Sequence, residues 1–406
     1  PRRLQSSLML SLLDAEPQSL DPLALPGGEV EALYVHVPFC FHKCHYCDFY
    51  SITRQTPERM ERFVNLVLRE TAMWARLPHI ALRPRTIFFG GGTPTILAPE
   101  QLGRIVEAIE SRFGVIADVE VTAEANPETV DEAKFRAMRS HGFNRISIGV
   151  QSLVGRVLAG LGRTHSADVA RDAVHAARAA GFDDVNVDVI YGSPWETDED
   201  WSTTLAGVVD LNPDHVSAYA LTVEEATPLA TLVRTGRVAD VDPDVQADRH
   251  SVADEALSAA GYGRYEISNW ARPGRASRHN GLYWSAGDYI GVGAGAHGHI
   301  DGRRWWNERL PRDYIASVLS RQEAVAGDEY LPADKRGGEA LMLGLRLRSG
   351  IPVDGFARRF GARVLDERAG QIDDLVEAGL LERAEGCLRL TERATLLANE
   401  VAARLL

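Results

Sequence analysis

Cysteine is scarce in this sequence: only four of its 406 residues are cysteines, and three of them are Cys40, Cys44 and Cys47. Such close spacing excludes the disulfide framework of a small secreted protein, and it predicts a clustered metal site in a reducing compartment. Cys387 stands alone near the other end of the chain, and we interpret it as a small buried or idle thiol.

Basic residues and long apolar runs are also lacking. The 44 lysines and arginines against 57 acidic residues give a formal net charge of -13, which argues against binding to nucleic acid or to an anionic membrane. The apolar run at residues 8–13 is far too short to span a bilayer and short for a signal peptide. We therefore expect a cytoplasmic protein without a transmembrane segment, in which residues 1–28 form an N-terminal extension. A mitochondrial presequence is the weaker alternative.

From about residue 30 the chain alternates apolar, β-branched segments with helical ones. The predicted strands are residues 33–37, 86–89, 119–124, 145–150, 185–191 and 215–221, and the predicted helices between them are residues 57–77, 99–113, 128–141, 167–180 and 198–209. Strands joined through helices favour a parallel sheet. Six such units are fewer than the eight of a TIM barrel, so the sequence predicts an α/β fold with a partial, TIM-like (βα)6 barrel over residues 29–225.

The alternation breaks near residue 225. A long helix is predicted at residues 243–260, followed by an aromatic, glycine-rich tract, and we treat residues 226–330 as a separate region. Residues 331–406 are mainly helical, with a short strand after the Glu385-Gly386 turn, which predicts a winged-helix-like C-terminal domain. Because its arginines are roughly balanced by acidic residues, a structural or protein-binding role is favoured over DNA binding.

The three clustered cysteines have the spacing C-x-x-x-C-x-x-C and follow the first predicted strand. Three thiolates on one loop can hold three corners of a [4Fe–4S] cluster and leave the fourth iron open. A Cys₃His zinc site with a nearby histidine (His36, His42 or His45) is the main alternative. Thioredoxin-like redox chemistry would leave Cys40 unexplained. The position at the carboxyl end of a barrel strand, where such folds place their chemistry, favours the cluster.

Other polar features also lie at or near the predicted ends of barrel strands. The glycine-rich run Gly90–Pro94 follows the second strand, Glu124 ends the third, Gln151 ends the fourth and Asp188 lies on the fifth. Successive glycines let backbone groups approach a ligand closely. A plain turn and a helix-capping role are the alternatives for the glycines and for Glu124, but together these positions indicate a ligand site rather than core packing.

The cysteine motif with an aromatic residue before its last cysteine, on a partial barrel, resembles the radical S-adenosylmethionine (SAM) superfamily. The resemblance implies that SAM chelates the open iron, and that an electron from a donor such as flavodoxin or ferredoxin splits SAM into methionine and a 5′-deoxyadenosyl radical. The SAM-binding residues it implies are Tyr34, Tyr46, Gly91, Gly92, Thr93, Glu124, Gln151, Arg163, Asp188 and Ile190.

Over nearly the whole chain the motifs resemble the oxygen-independent coproporphyrinogen III oxidase family, which includes true oxidases and heme chaperones. True oxidases carry a further cysteine two places after the third, where this chain has Phe49. The resemblance therefore implies a heme chaperone that passes heme to acceptors such as respiratory enzymes. The alternatives are anaerobic coproporphyrinogen III oxidation, a related radical SAM tailoring enzyme such as a methylase, and a zinc-bearing scaffold protein.

Residues 279–284 read H-N-x-x-Y-W, a pattern associated with heme binding in the chaperone branch of this family. It implies heme contacts by His279, Asn280, Tyr283 and Trp284. An imidazole is a good axial ligand for heme iron, and the aromatic rings offer flat apolar area. A structural, hydrogen-bonded His279 is the alternative, in which case His297 or His299 would be the heme ligand.

Overall fold

The computed structural model describes residues 28–77, 80–321 and 324–406, so the predicted N-terminal extension lies, apart from residue 28, outside the described residues. The strands are β1 Gly28–Val37, β2 Ile80–Gly91, β3 Glu120–Ala125, β4 Arg145–Gln151, β5 Val185–Tyr191, β6 His215–Ala220, β7 Gly263–Glu266, β8 Asn269–Ala271, β9 Tyr289–Val292, β10 His297–Ile300, β11 Arg303–Asn307, β12 Val325–Tyr330, β13 Ile351–Pro352, β14 Leu381–Ala384 and β15 Cys387–Leu390.

The helices lie between or after these strands, and in several places two or three helices follow one another. They are α1 Pro57–Trp74, α2 Pro99–Phe113, α3 Glu132–Ser140, α4 Gly155–Gly160, α5 Ala167–Ala179, α6 Asp198–Leu211, α7 Pro228–Arg234, α8 Pro243–Ala259, α9 Arg278–Trp284, α10 Pro311–Ala316, α11 Ala333–Gly344, α12 Val353–Phe360, α13 Arg363–Asp366, α14 Ala369–Glu377 and α15 Ala398–Leu405. Within the described residues, none of the helices is both long and apolar enough to cross a bilayer.

Strands β1 to β6 are parallel neighbours in chain order, as predicted. Alternate residues of each strand face the surrounding helices: on β1, Leu33, Val35 and Val37 are fully buried in the main core, together with Phe63 and Val64 of α1. The residues between them face the inner, concave side of the sheet. Successive side chains of these strands therefore point in turn to the hydrophobic core and to the inner face, where residues can contact a ligand.

The sheet does not end at β6, although the sequence pattern breaks there. On one side, β8 pairs antiparallel with β6, and β7 pairs with β8. On the other side, β9 pairs parallel with β1, and β10 to β12 follow as antiparallel strands. In the described residues the outcome is a twelve-stranded sheet that begins with β12 and ends with β7 without closing. The predicted partial, open barrel is confirmed, and residues 226–330 add strands to both of its edges.

The C-terminal region is mainly helical, as predicted. Helices α11 to α15 surround a small sheet in the order β13-β15-β14, whose β14–β15 hairpin takes the place of a wing. This region has a hydrophobic core of its own, which includes Leu341, Phe356 and Leu388. It is joined to β7 by the ion pairs Arg346–Glu266 and Arg264–Glu392. The domain limits at residues 225 and 330 stay a prediction.

Candidate functional site

A cavity of about 760 Å³ occupies the inside of the partial barrel. The cysteine loop after β1 and the glycine-rich loop after β2 form its mouth at the carboxyl ends of the strands. Arg145 at the start of β4, together with Ser277 and Asn280, lines the opposite end. The cavity brings together on its lining twelve of the thirteen predicted cluster and SAM positions: Cys40, Cys44, Tyr46, Cys47, Gly91, Gly92, Thr93, Glu124, Gln151, Arg163, Asp188 and Ile190.

The cysteine loop is held in place by hydrogen bonds to Ile52 and to residues 160–162. The backbone N–H of Cys40 donates to the carbonyl of Ile52 at 3.1 Å, and that of His45 donates to Leu161 at 3.1 Å. The His42 ring donates to the carbonyl of Gly162, and the His45 ring donates to that of Gly160, each at 3.0 Å. These contacts fix the backbone of the loop, so the three thiols do not have to position it themselves.

The three thiols are buried or partly buried, and the positively charged Arg163 lies beside one of them. The Arg163 guanidinium donates to Cys44 Sγ at 3.5 Å, and Cys40 Sγ lies 3.7 Å from the Thr93 hydroxyl. Burial raises the pKa of the Cys40 and Cys47 thiols. A cationic partner beside Cys44 compensates part of the cost of a buried thiolate, which is the form that binds iron.

The zinc alternative finds less support in this geometry. Across residues 28–77, 80–321 and 324–406, no three His, Cys, Asp or Glu side chains meet closely enough to hold a single metal ion. His42 and His45 are used to anchor the loop. Three separated thiols around one cavity mouth suit the separate iron corners of a cubane better than one tetrahedral ion.

The glycine-rich loop lies directly on the chain that leaves β1. The Gly92 N–H donates to the carbonyl of Val37 at 2.8 Å, and the Thr93 N–H donates to that of Phe39 at 2.7 Å. A Cβ atom at Gly92 would lie 2.5 Å from the Phe39 carbonyl oxygen, which is closer than a side chain can approach. Gly92 is therefore required for this contact, and its backbone is exposed to any ligand in the cavity.

Two carboxyl groups, those of Glu124 and Asp188, lie on the lining of the cavity. Glu124 on β3 accepts a hydrogen bond from the Gly91 N–H at 3.2 Å, and Asp188 on β5 accepts from Ser147 at 2.8 Å and from Asn186 at 2.7 Å. Burial, reinforced by the Asp188 charge, raises the pKa of Glu124 to about 8. When both carboxyl groups are ionised, their negative charges repel each other, and a bound cation would relieve this repulsion. The pair is therefore suited to bind an ammonium or sulfonium group.

Replacing Glu124 by glutamine is expected to stabilise the ligand-free protein at alkaline pH. A carboxyl group whose pKa is raised on folding binds a proton more tightly in the native state, so its contribution to stability falls as pH rises from about 4.5 to about 8. Because the cavity is open to solvent, we expect the gain at pH 8.5 to be only about 1–2 kcal/mol, and no gain at pH 5.

Urea unfolding of the two proteins at both pH values measures this difference. Glu107→Gln on the exposed face of α2 is the matched control, and it should leave the pH profile unchanged. Equal stability of wild type and Glu124→Gln at pH 8.5 would contradict the raised pKa. The same substitution should weaken SAM binding, because the cation would lose its charged partner.

The remaining predicted SAM residues surround these groups. Gln151 ends β4 in the left-handed region, with φ 63°, after a bulge that redirects its side chain. Arg163 also donates to the carbonyl of Gly149 at 2.9 Å, which fixes its guanidinium beside the thiols. Tyr46 packs near Ile190 in a small apolar cluster on the wall of the cavity. Tyr34 is the exception: it stacks on Phe88 and does not line the cavity.

The heme motif forms α9, which covers the end of the barrel opposite the cysteine loop. The N–H groups of Arg278 and His279 donate to the carboxylate of Glu120, the first residue of β3. His279 is 1% exposed; its Nδ1 is hydrogen-bonded to the Thr86 hydroxyl at 2.8 Å and its Nε2 to the Tyr283 hydroxyl at 2.9 Å. Burial lowers its pKa to about 3. In this conformation neither ring nitrogen of His279 is free to bind iron.

The other motif residues point in different directions. Asn280 lines the inner end of the cavity, and the Tyr283 ring packs edge-on against Tyr289. The Trp284 ring lies under the Arg346 guanidinium of the C-terminal region, with 4.4 Å between them. Of the four predicted motif residues, Asn280 alone lines the cavity that contains the cysteines. Heme contact by the motif stays a prediction, and it requires α9 to rearrange.

Comparison with known proteins identifies the family. A family model described as the Radical SAM superfamily matches residues 34–206, and one described as the HemN C-terminal domain matches residues 331–397. The heme chaperone HemW of Mycobacterium tuberculosis is 40% identical, in an alignment that covers 95% of this chain and 98% of the relative. That of Bacillus subtilis is 32% identical, covering 92% and 98%. This chain belongs to the HemW family.

The fold of this HemW-family chain also matches a solved structure. Coproporphyrinogen III oxidase (HemN) from Escherichia coli, a radical SAM enzyme, superposes with a TM-score of 0.81 at 22% identity, covering 98% of each chain. This likeness establishes the shared fold over both the barrel and the C-terminal region. As a radical SAM protein, a HemW-family chain has a [4Fe–4S] cluster and SAM as its cofactors, and the three thiols and the Gly91–Gly92 cradle fit them.

The cavity of this HemW-family chain also contains polar residues that the sequence analysis did not predict. Asn186 donates to the Ser147 hydroxyl at 2.7 Å, and its carbonyl oxygen lies 2.6 Å from His215 Nδ1. His215 Nε2 is hydrogen-bonded at 2.8 Å to the hydroxyl of Tyr265 on β7. These polar residues alternate with apolar ones along β4, β5 and β6. The period-two placement of polar residues in strands that are otherwise apolar is the signal that could have revealed them.

Proposed function

We propose that this chain is a heme chaperone that binds heme and transfers it to acceptor proteins, with a [4Fe–4S] cluster and SAM as resident cofactors. The observation that carries the proposal is the match at 40% identity along 98% of the length of a HemW heme chaperone. The cavity supports it, because the predicted cluster and SAM residues, apart from Tyr34, line one continuous space.

In this proposal the chain's own residues divide the work of holding the cofactors. Cys40, Cys44 and Cys47 would hold the cluster through their thiolates, and the Arg163 guanidinium would balance part of the negative charge through its contact with Cys44. When bound, the cluster supplies an electron and an open iron for SAM. Glu124 and Asp188 would receive the cationic part of SAM, and the backbone of the glycine-rich loop would lie against the ligand.

The oxidase alternative is weaker because of the residue at position 49. Where the oxidase pattern has a further cysteine, this chain has Phe49, whose side chain is 67% exposed at the mouth of the cavity. Phe41 on the same loop is 57% exposed. Exposed aromatic rings beside a cofactor site are suited to contact with a partner or a flat ligand.

The proposal also includes protein partners. The electron donor would be a flavodoxin or ferredoxin, and the heme acceptors would be respiratory enzymes.

Hemin titration of the full chain with a reconstituted cluster tests the proposal. We expect saturable binding of one hemin, followed through the Soret band, and transfer of that heme to an apo-heme protein such as apomyoglobin. We expect no conversion of coproporphyrinogen III in the presence of SAM and a reductant. Turnover of coproporphyrinogen III would favour the oxidase, and absence of saturable hemin binding would refute the chaperone function.

A further inference from the structure

Three side chains that the cavity does not use lie at one end of β10 and β11. They are His297, Trp306 and Arg309, and we call them the β10–β11 platform. His297 begins β10 and is paired with Trp306 on β11. The Asn307 N–H donates to the carbonyl of Ala296 at 2.8 Å, and the Gly295 N–H donates to that of Glu308 at 3.0 Å, so Arg309 follows directly where this pairing ends.

The platform lies on the same side of the barrel as the cysteine loop. Strand β9 runs parallel to β1, so the turn after β9 lies beside the carboxyl end of β1. Gly293 in that turn has φ 102°, and a Cβ atom there would lie 2.4 Å from the His36 carbonyl oxygen. This close approach, possible only for glycine, brings the start of β10 to the edge of the cofactor site.

His297 is an exposed histidine without a hydrogen-bond partner in the described part of the chain. The other histidines considered as heme ligands are engaged: both ring nitrogens of His279 are hydrogen-bonded, and His299 contacts Asp288 at 3.1 Å and accepts from the Gly302 N–H at 3.1 Å. His297 therefore offers a neutral imidazole that can bind iron without breaking any structural contact.

Trp306 supplies the flat apolar surface next to this imidazole. Its side chain is 37% exposed, unlike its neighbour Trp305, which is fully buried. The ring centre of Trp306 lies 6.4 Å from that of His297. On the next strand its partner is Gly327, which leaves the indole uncovered by a side chain at that position. A partly exposed indole beside a free histidine can cover the face or edge of a porphyrin.

Arg309 supplies a positive charge at the rim of the platform. It is exposed, and its guanidinium lies 5.0 Å from the ring centre of Tyr50 on the cysteine loop. Among the described residues it has no carboxylate partner, in contrast to Arg304, which pairs with Glu329 and Glu339. An unpaired guanidinium is the group that best recognises a carboxylate such as a heme propionate.

We propose that heme binds to the β10–β11 platform, with His297 as axial ligand, Trp306 against the porphyrin and Arg309 paired with a propionate. This inference rests on the proposed heme-chaperone function and assigns its cargo site. Heme would then lie beside the cofactor cavity rather than in it, separated from the glycine-rich loop by His36. Burial, and to a lesser degree the nearby His297, lower the pKa of His36 to about 4, which keeps that dividing residue neutral.

Hemin titration of His297→Ala in the full chain tests the assignment. We expect a shifted Soret band and binding weakened at least tenfold, equivalent to about 1.4 kcal/mol, because the axial bond is lost. Added free imidazole should restore the wild-type spectrum. Trp306→Ala and Arg309→Glu should weaken binding several-fold without the spectral change. His175→Ala, an exposed histidine on the outer helix α5, is the matched control and should bind hemin as wild type does.

The outcomes separate this inference from the function on which it rests. If wild type binds hemin and His297→Ala binds it with the same affinity and spectrum, the platform is not the heme site, even if a His279 variant loses binding. If wild type itself shows no saturable binding, the chaperone function fails and the platform fails with it. Because His297 is exposed, its substitution should leave the circular dichroism spectrum unchanged.

Discussion

Replacing Cys44 by alanine is expected to abolish incorporation of iron and sulfide into the protein. Cys44 is the most buried of the three clustered cysteines, at 8% exposed, and it is the one whose sulfur accepts a hydrogen bond from Arg163. Two remaining thiolates cannot hold a cluster whose fourth iron is already left to SAM. Anaerobic reconstitution, followed by iron and sulfide analysis and by absorption near 400 nm, should give background values for the variant.

Cys387→Ala is the matched control for this experiment. Cys387 lies on β15 of the small C-terminal sheet, and its substitution should leave the iron content at the wild-type level. Since the cysteine loop is fixed by backbone and histidine contacts, Cys44→Ala should still fold, and circular dichroism checks this. A full iron content in Cys44→Ala, or zinc in place of iron in wild type, would contradict the cluster assignment.

The six barrel strands could be predicted because each is a run of apolar and β-branched residues long enough to show its period. The strands from β7 to β12 were missed for the opposite reason. They are three to six residues long, rich in glycine and polar residues, and they exist because β6 and β1 offer free edges to pair with. Pairing with a distant edge is a tertiary effect that local sequence does not encode.

In the candidate site, too, the features that depend on nearby sequence could be predicted, and those that depend on contacts between distant residues could not. The cysteines, the glycine-rich loop and Glu124 could be predicted because a barrel brings the carboxyl ends of its strands together. The setting of His279 could not, because its partner Thr86 is 193 residues away in the chain and nothing near His279 indicates that contact. A histidine in a promising motif can still be a buried structural group.

The added strands also give the site a shape that six strands alone would not provide. The partial barrel encloses the cofactor cavity, while β9 to β11 continue the concave face outward from β1. In the proposal made above, heme lies on these added strands and does not enter the cavity of about 760 Å³ that the predicted cofactor residues line. The proposed separation of resident cofactors from transferred heme depends on this arrangement of the sheet.

Replacing Gly92 by alanine is expected to disrupt the cofactor site while leaving all three cysteines in the sequence. The new Cβ atom would lie 2.5 Å from the Phe39 carbonyl oxygen and 3.0 Å from its backbone nitrogen and carbonyl carbon. Phe39 has little freedom to move, because its carbonyl accepts from the Thr93 N–H and the next residue, Cys40, donates to Ile52. The strain must therefore separate the glycine-rich loop from the cysteine loop, at a cost of about 1–3 kcal/mol.

SAM affinity measured by calorimetry on the reconstituted protein, together with urea unfolding, reports the two parts of this effect. We expect SAM binding to fall at least about tenfold, since both loops that form the mouth of the cavity shift, and stability to decrease by the strain energy. Gly155→Ala, where α4 begins and an added Cβ meets nothing within 4 Å, should leave both quantities unchanged. Normal SAM affinity in Gly92→Ala would mean that the ligand does not depend on this contact between the two loops.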